Sequence, residues 1–270
     1  MAMNLNQRLA VLIPYLSIGV LVTSSSLSAQ SDVVSVDESR PLAAAIRILE
    51  ARYGWIITYE DPKYQFSGDL VVVTSLVRRS TGAPALRNII PRGGPFSFSM
   101  QRPSATAAGS VVSDMVAAYN STGFPGAFAV INTSGVLHVV PISVNGKTGS
   151  PIGQKSILDT AITLPAQRNR SVADAVNQAL NAVQKKTAEP IEPGMFPVNR
   201  LRGTLMEEGA TNEIVRQFLV RALNAAGGGA SWQLFYAADL QKYVVNVHLV
   251  RTPTGGPMLP DRKSVATQAR

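Results

Sequence analysis

Two stretches of this chain run through the same elements in the same order, and that repetition limits the fold more than any single motif does. The first pass opens with Val33 to Val36, whose alternating apolar positions predict a strand. Ser39, Arg40 and Pro41 then open a helix, with proline suited to its first turn. Leu42, Ala45, Ile46 and Leu49 recur at helical spacing and define one buried face, and Gly54 closes the helix. Trp55 to Tyr59 (WIITY) is β-branched and aromatic, hence a strand, and Glu60-Asp61-Pro62 turns the chain. A less regular stretch contains apolar Leu70 to Val73 and strand-like Phe96 to Met100. Val112, Met115, Val116 and Tyr119 mark a second helix, stopped by Gly123 and Pro125. Phe128 to Ile131 and Val136 to Val140 flank Asn132-Thr133-Ser134-Gly135, a hairpin signature.

The second pass follows a Gly/Pro/Ser-rich joint, residues 144–154. Ala161 to Leu164 reads as a strand. Ser171 is a helix N-cap with Asp174 three residues on, close to a capping box, and Val172, Ala175, Val176, Ala179, Leu180 and Val183 form the apolar stripe. A proline-rich passage, Glu189 to Pro197, stands where the first pass has WIITY, and Gly203 to Met206 is expected to pair at a sheet edge. Ile214, Val215, Phe218, Leu219 and Ala222 define the next helix, which Gly227 to Gly229 terminates. Trp232 to Tyr236 and Tyr243 to Val250 form a closing hairpin. Each half therefore reads β-α-β-β-α-β-β. The expected fold class is α+β: two tandem modules, residues 31–143 and 155–250, each with small mixed sheets packed on two helices.

Composition fits packed cores. The chain is 46% hydrophobic but only 6% aromatic, so Val, Leu, Ile and Ala must fill the interior. It has no cysteine, which excludes disulfides, thiolate metal sites and cysteine nucleophiles. The formal charge of +8 favours anionic partners in general. Part of it, however, sits in Arg251, Arg262, Lys263 and Arg270 of a Pro/Gly/Ser/Thr-rich end, residues 251–270, which reads as a disordered basic tail.

The first 29 residues read as a secretory signal peptide. Arg8 supplies the positive region, Leu9 to Val22 is an apolar run, and small polar residues follow, with cleavage after Ser28 or Ala29. The run is shorter than the roughly 20 residues a spanning helix needs, and Pro14 and Gly19 interrupt it. The expectation is a periplasmic or secreted protein with no transmembrane segment after cleavage.

The segment from Pro41 to Tyr59 (PLAAAIRILEARYGWIITY) resembles the short N-terminal domain shared by secretins and TonB-dependent transducers, in which a Pro-Leu-x-x-Ala helix, a glycine and a strand precede a second helix and a terminal hairpin. Residues 33–60 carry the likeness best, and residues 161–250 share its order of elements more than its letters. RYGWIITYEDP, YNSTGFPGAFAVI, HVVP and SWQLFY also resemble exported bacterial proteins without an assigned activity. The resemblance implies protein–protein contact in the bacterial envelope. It transfers no binding residue, and the pore or barrel domain of those families does not follow in this sequence.

Motifs for chemistry are sparse. Asn145-Gly146-Lys147-Thr148 resembles the end of a phosphate loop, but Pro141 stands where the first glycine belongs and Gly149-Ser150-Pro151 replaces the helix. His138 and His248 are the two histidines, each in the last strand of its half, and without a third histidine or a cysteine they make a weak zinc set. Alternation in YVVNVHLV places His248 on the face away from Val245 and Val247. No Gly-x-Ser-x-Gly elbow occurs. Asp37-Glu38, Glu60-Asp61 and Glu207-Glu208 read as loop or turn carboxylates, Arg92-Gly93-Gly94 as a turn, and Arg78-Arg79 and Lys185-Lys186 as solvated edges. No nucleic-acid module is recognisable. No catalytic, cofactor-binding or metal-binding residue is assigned, and no cofactor is expected. The leading expectation is a non-catalytic exported protein that engages another envelope protein through exposed edges of its terminal ribbons. The alternatives are a binder of an anionic polymer or membrane surface, and a periplasmic hydrolase using Glu60, Asp61 or His138.

Overall fold

The computed structural model describes residues 31–74, 87–101, 103 and 107–251. The signal-peptide reading, Arg78-Arg79 and all but the first residue of the tail lie outside them. The protein is a mixed α+β structure. In chain order the elements are β1 (Ser31–Glu38), α1 (Pro41–Tyr53), β2 (Ile57–Glu60), β3 (Leu70–Thr74), β4 (Arg87–Pro91), β5 (Gly94–Gln101), α2 (Ala108–Asn120), β6 (Ala127–Thr133), β7 (Val136–Asn145) and β8 (Pro151–Gly153). They continue with β9 (Ala161–Leu164), α3 (Val172–Thr187), β10 (Ile191–Pro193), α4 (Val198–Arg202), β11 (Ala210–Ile214), α5 (Val215–Ala225), β12 (Ala230–Ala237) and β13 (Lys242–Leu249).

Local chemistry explains most boundaries. In α1, Leu42, Ala45, Ile46 and Leu49 are fully buried. Gly54 takes the left-handed conformation (φ 69°) and returns its N–H to Glu50 O, a cap that glycine adopts without steric cost. In α3, Ser171 Oγ accepts the Asp174 N–H at 3.1 Å and donates to the Asp174 carboxylate at 2.6 Å. Replacing that cap, Ser171→Ala, is expected to lower stability by about 1 kcal/mol, read from urea unfolding. The β6–β7 turn uses Ser134 (φ 52°) and Gly135 (φ 81°), the paired positive φ values that match strand twist.

The strand pairings of the first half recur in the second. β1 pairs antiparallel with β5, as β9 does with β11. β2 pairs parallel with β7, as β10 does with β13. β6–β7 and β12–β13 are antiparallel hairpins. The expectation of small mixed sheets in each half is met only in part. One seven-stranded mixed sheet, ordered β10-β13-β12-β2-β7-β6 with β8 beside β7, runs through both halves. Its junction is the parallel pair β12–β2, with Gln233 opposite Tyr59 and Leu234 opposite Glu60. The physical reason is the outer edge of β2: all four of its residues are buried, so its backbone groups need protein partners, and β12 supplies them.

The sense of that junction sets the layering. A second half merely translated along the sheet would place β12, the counterpart of β6, antiparallel to β2. It runs parallel, so the second half is turned over about an axis crossing the strands. Its helices therefore cover the opposite face. Ile57, Tyr59, Leu137 and Val139 pack with α1, α2 and the β1–β5 ribbon in one core. Trp232, Leu234, Tyr236, Val245 and Val247 pack with α3, α5 and the β9–β11 ribbon in the other.

Two further differences are local. The strand pairing with β9 is Ala210–Ile214 rather than Gly203 to Met206, which contributes only an isolated bridge between Leu205 and Ser171. Residues 144–154 hold the end of β7, a turn and β8 folded back on it. No helix among the described residues is long and apolar enough to cross a membrane.

Candidate functional site

Glu60, Asp61, His138 and His248 lie in the seam where the two halves meet, and each is held by other protein groups. Glu60, at the end of β2, is fully buried and takes a two-pronged contact from Arg216 of α5, Nε to Oε1 at 2.7 Å and Nη2 to Oε2 at 2.8 Å. The third guanidinium nitrogen donates to Asp159 at 2.6 Å. Burial opposes the charge on Arg216, but Glu60 and Asp159 outweigh it and push its pKa up. Asp61 is a hub. Its Oδ2 accepts from Arg40 Nε (2.7 Å) and the Tyr236 N–H (2.9 Å), and its Oδ1 from the hydroxyls of Tyr59 (2.7 Å) and Tyr64 (3.2 Å). Burial, then the charge of Asp61, raises both tyrosines well above the usual range, so they remain neutral donors.

His138 lies opposite Thr58 in the β2–β7 pair, fully buried. Its Nδ1 shares a hydrogen bond with Thr58 Oγ1 at 2.8 Å, and its ring lies 5.4 Å from that of Trp232. His138 Nε2 and Trp232 Nε1 have no protein hydrogen-bond partner. Burial, then the nearby Arg216 charge, lowers the histidine to about 3. A general base needs a lone pair facing substrate. Glu60, Asp61 and His138 line none of the described clefts, and the hydrogen bond of His138 is to Thr58.

His248 faces away from Val245 and Val247, where it bonds Glu50 of α1 at 2.7 Å. Among the described residues no group of three or more potential ligands gathers around a metal position. The phosphate-loop fragment is the β7–β8 turn: Gly146 N–H bonds Ser150 O and Gly149 N–H bonds Gly146 O, so two of its amides point at its own chain. Arg92 donates its backbone N–H to Asp69 O in the β4–β5 turn. Lys186 donates to Ala161 O on β9.

Sequence reasoning missed the buried arginines. Arg216, Leu219, Val220 and Leu223 form a buried helical stripe whose first member is charged, and an arginine on an apolar stripe is a signal for a buried ion pair. Arg170, also buried, clamps the chain by donating to the carbonyls of Pro165, Met206 and Glu208. No comparable pattern in the sequence marks it.

Strand edges remain as sites of contact. The expected terminal ribbons offer little. β12 and β13 are interior, flanked by β2 and β10. On the outer edge of β6, Asn120 of α2 bonds both the N–H and the C=O of Phe128. β10 is three residues long and ends in Pro193, a combination that blunts an edge. Among the described residues the β1–β5 ribbon leaves two long edges, one on each strand, and β1 has eight residues paired on one side by β5. Beside it runs a groove of about 610 Å³ lined by Val33 and Ser35 of β1 and Arg47, Ile48, Ala51 and Arg52 of α1. A second groove, about 520 Å³, lies at the other side of the ribbon between β5 and α2, and includes Asp114. A third cleft, about 450 Å³, is bordered by Lys63, Tyr64, Lys147 and Tyr236.

Compared with family models, curated proteins and solved structures, the chain matches none.

Proposed function

We propose that this chain is an exported, non-catalytic protein of the bacterial envelope, built from two tandem modules that arose by duplication, and that it binds or assembles with another envelope protein. The observation that carries this reading is a contrast. Glu60, Asp61 and Arg216 in the interior are held by ion pairs and hydrogen bonds to other protein groups, while among the described residues a long strand edge beside an open groove has no partner strand. An unpaired edge offers ready backbone hydrogen bonds to an extended segment. The signal-like first 29 residues and the likeness of residues 33–60 to secretin and transducer modules support the same address and the same kind of work.

The test is photo-crosslinking in the producing cell, with a photoreactive side chain placed in turn at Ser35, Ala51 and Ile131, followed by identification of what is attached. Recovery of one envelope protein is the expected result. Recovery of cell-wall glycan alone, with no protein, overturns the reading.

A further inference from the structure

We propose that the groove between the outer edge of β1 and α1 receives an extended acidic segment of a partner protein, which adds as a third strand to the β1–β5 ribbon. This rests on the reading above and names the partner's chemistry.

The backbone parity of β1 shows what the edge presents. Arg52 Nη1 donates to Val33 O at 2.8 Å, so the carbonyl of Val33 points away from β5. In an antiparallel strand the N–H and C=O of one residue point to the same side, and the side alternates. Val33, Ser35 and Asp37 therefore turn their backbone groups outward, and Val34 and Val36 turn theirs to β5. Val33 and Ser35 are also the two β1 residues that line the groove. Among the described residues, no protein group bonds the outward amides or carbonyls of Ser35 and Asp37.

The edge is also long, as is that of β5. The counterpart of β1, β9, has four residues, and short strands are one way in which proteins blunt an edge. Beyond β1, the α1 surface carries Ala51 and half-buried Ile48 between Arg47 and Arg52. At 100° per residue these four positions span one side of the helix, with Arg52 next to β1 and Arg47 on the far wall. The lining holds two arginines and no carboxylate. Among the described residues the groove along β5 is lined by Asp114 and no cation, and Pro95 removes one outward donor from that edge. An incoming strand would take over the Val33 carbonyl with its own N–H, place small apolar side chains over Ala51 and Ile48, and bring carboxylates to the released Arg52 and to Arg47. The two arginines select carboxylates on the α1 side of the groove beside Val33 and Ser35, Asp37 and Glu38 disfavour them at the far end of β1, and the ladder selects extended backbone.

The probe is a fluorescein-labelled peptide of alternating Glu and Val, as long as β1, with a Lys/Val peptide as control. The expected result is saturable binding of the acidic peptide alone, with slowed hydrogen exchange at the Ser35 and Asp37 amides. The double variant R47E/R52E should bind at least about ten-fold more weakly, the loss of two modest ion pairs. Ser35→Pro removes one outward N–H and leaves the β5 ladder intact. It should abolish binding while the β5 amides stay protected. No binding, equal binding of the Lys/Val peptide, protection elsewhere, or unchanged affinity in R47E/R52E overturns the proposal. So does a dimer in sedimentation that Ser35→Pro makes monomeric, because the occupant is then a second copy. Crosslinks to an envelope protein away from Ser35 and Ala51 would leave the general reading standing and remove this one. Peptide capture at β1 with no protein recovered in the cell would do the reverse.

Discussion

Arg216→Met is expected to destabilise the protein by about 3–5 kcal/mol and to lower its melting temperature by on the order of 10 °C. The cost does not come from the attraction lost. It comes from the partner left behind: Glu60 has no exposed surface, and both of its oxygens are held by Arg216. An unpaired carboxylate there must either keep its charge without solvent or take up a proton, and both states cost free energy relative to the paired one. Asp159 matters less, because its side chain is 37% exposed and water can replace the guanidinium. The second variant that makes the argument testable is E60Q/R216M, which removes both charges. Buried pairs replaced as a unit by neutral groups are often close to neutral in stability, so the double variant should recover most of the loss. Urea unfolding of the three proteins measures this. A loss under about 1 kcal/mol in Arg216→Met would show that Glu60 finds water or a new donor, and that the seam is open to solvent.

That ion pair joins β2 to α5 across the same seam in which β12 pairs with β2. The order of elements in each half could be read from local signals: the stripes of α1 and α3, the Ser171 cap, Gly54, and the Ser134-Gly135 turn all act within a few residues. Which strands pair across the halves is a non-local matter. Gln233 and Leu234 meet Tyr59 and Glu60 across more than half of the chain, and no periodicity encodes that register. The short β10 and β11 were obscured for a related reason. Ile191–Pro193 lies among prolines, and Ala210–Ile214 (ATNEI) carries a bulge in its pairing with β9, so neither shows clean alternation.

The candidate site was legible in part. Glu60-Asp61-Pro62 stood out as a turn with paired carboxylates, but the two side chains point to different partners: Glu60 to Arg216, from a distant segment, and Asp61 to Arg40 of the preceding helix start together with its near neighbours Tyr59 and Tyr64. The β1 edge was hidden in the sequence because exposure of a strand edge depends on what the rest of the chain fails to cover. Val33 to Val36 reads as a strand with one buried face, and nothing in it tells whether a neighbour lies on one side or on both.

Stability should fall as the solution is acidified below about pH 6.5, and His138 should account for a share on the order of 4–5 kcal/mol by pH 3. The folded protein holds this histidine neutral, at about 3, because burial and then the Arg216 charge disfavour the imidazolium. The unfolded chain releases it to about 6.5. Between those values the unfolded state binds the proton and the folded state does not, so each step down in pH favours unfolding; above about 6.5 neither state binds it and this contribution is flat. At pH 5 the expected share is already about 2 kcal/mol. Other groups titrate in the same range, so the measurement is a comparison. His138→Asn can keep a hydrogen bond to Thr58 from the position of Nδ1 but takes no proton. It should be less stable than the parent at pH 7.5, because it leaves space beside Trp232, and it should lose less stability on acidification. The gap between the two urea-unfolding profiles should narrow steadily from pH 6.5 downward. Parallel profiles from pH 7.5 to pH 4 would mean that His138 is protonated in place, and that the seam between Thr58, Trp232 and Arg216 admits a charge.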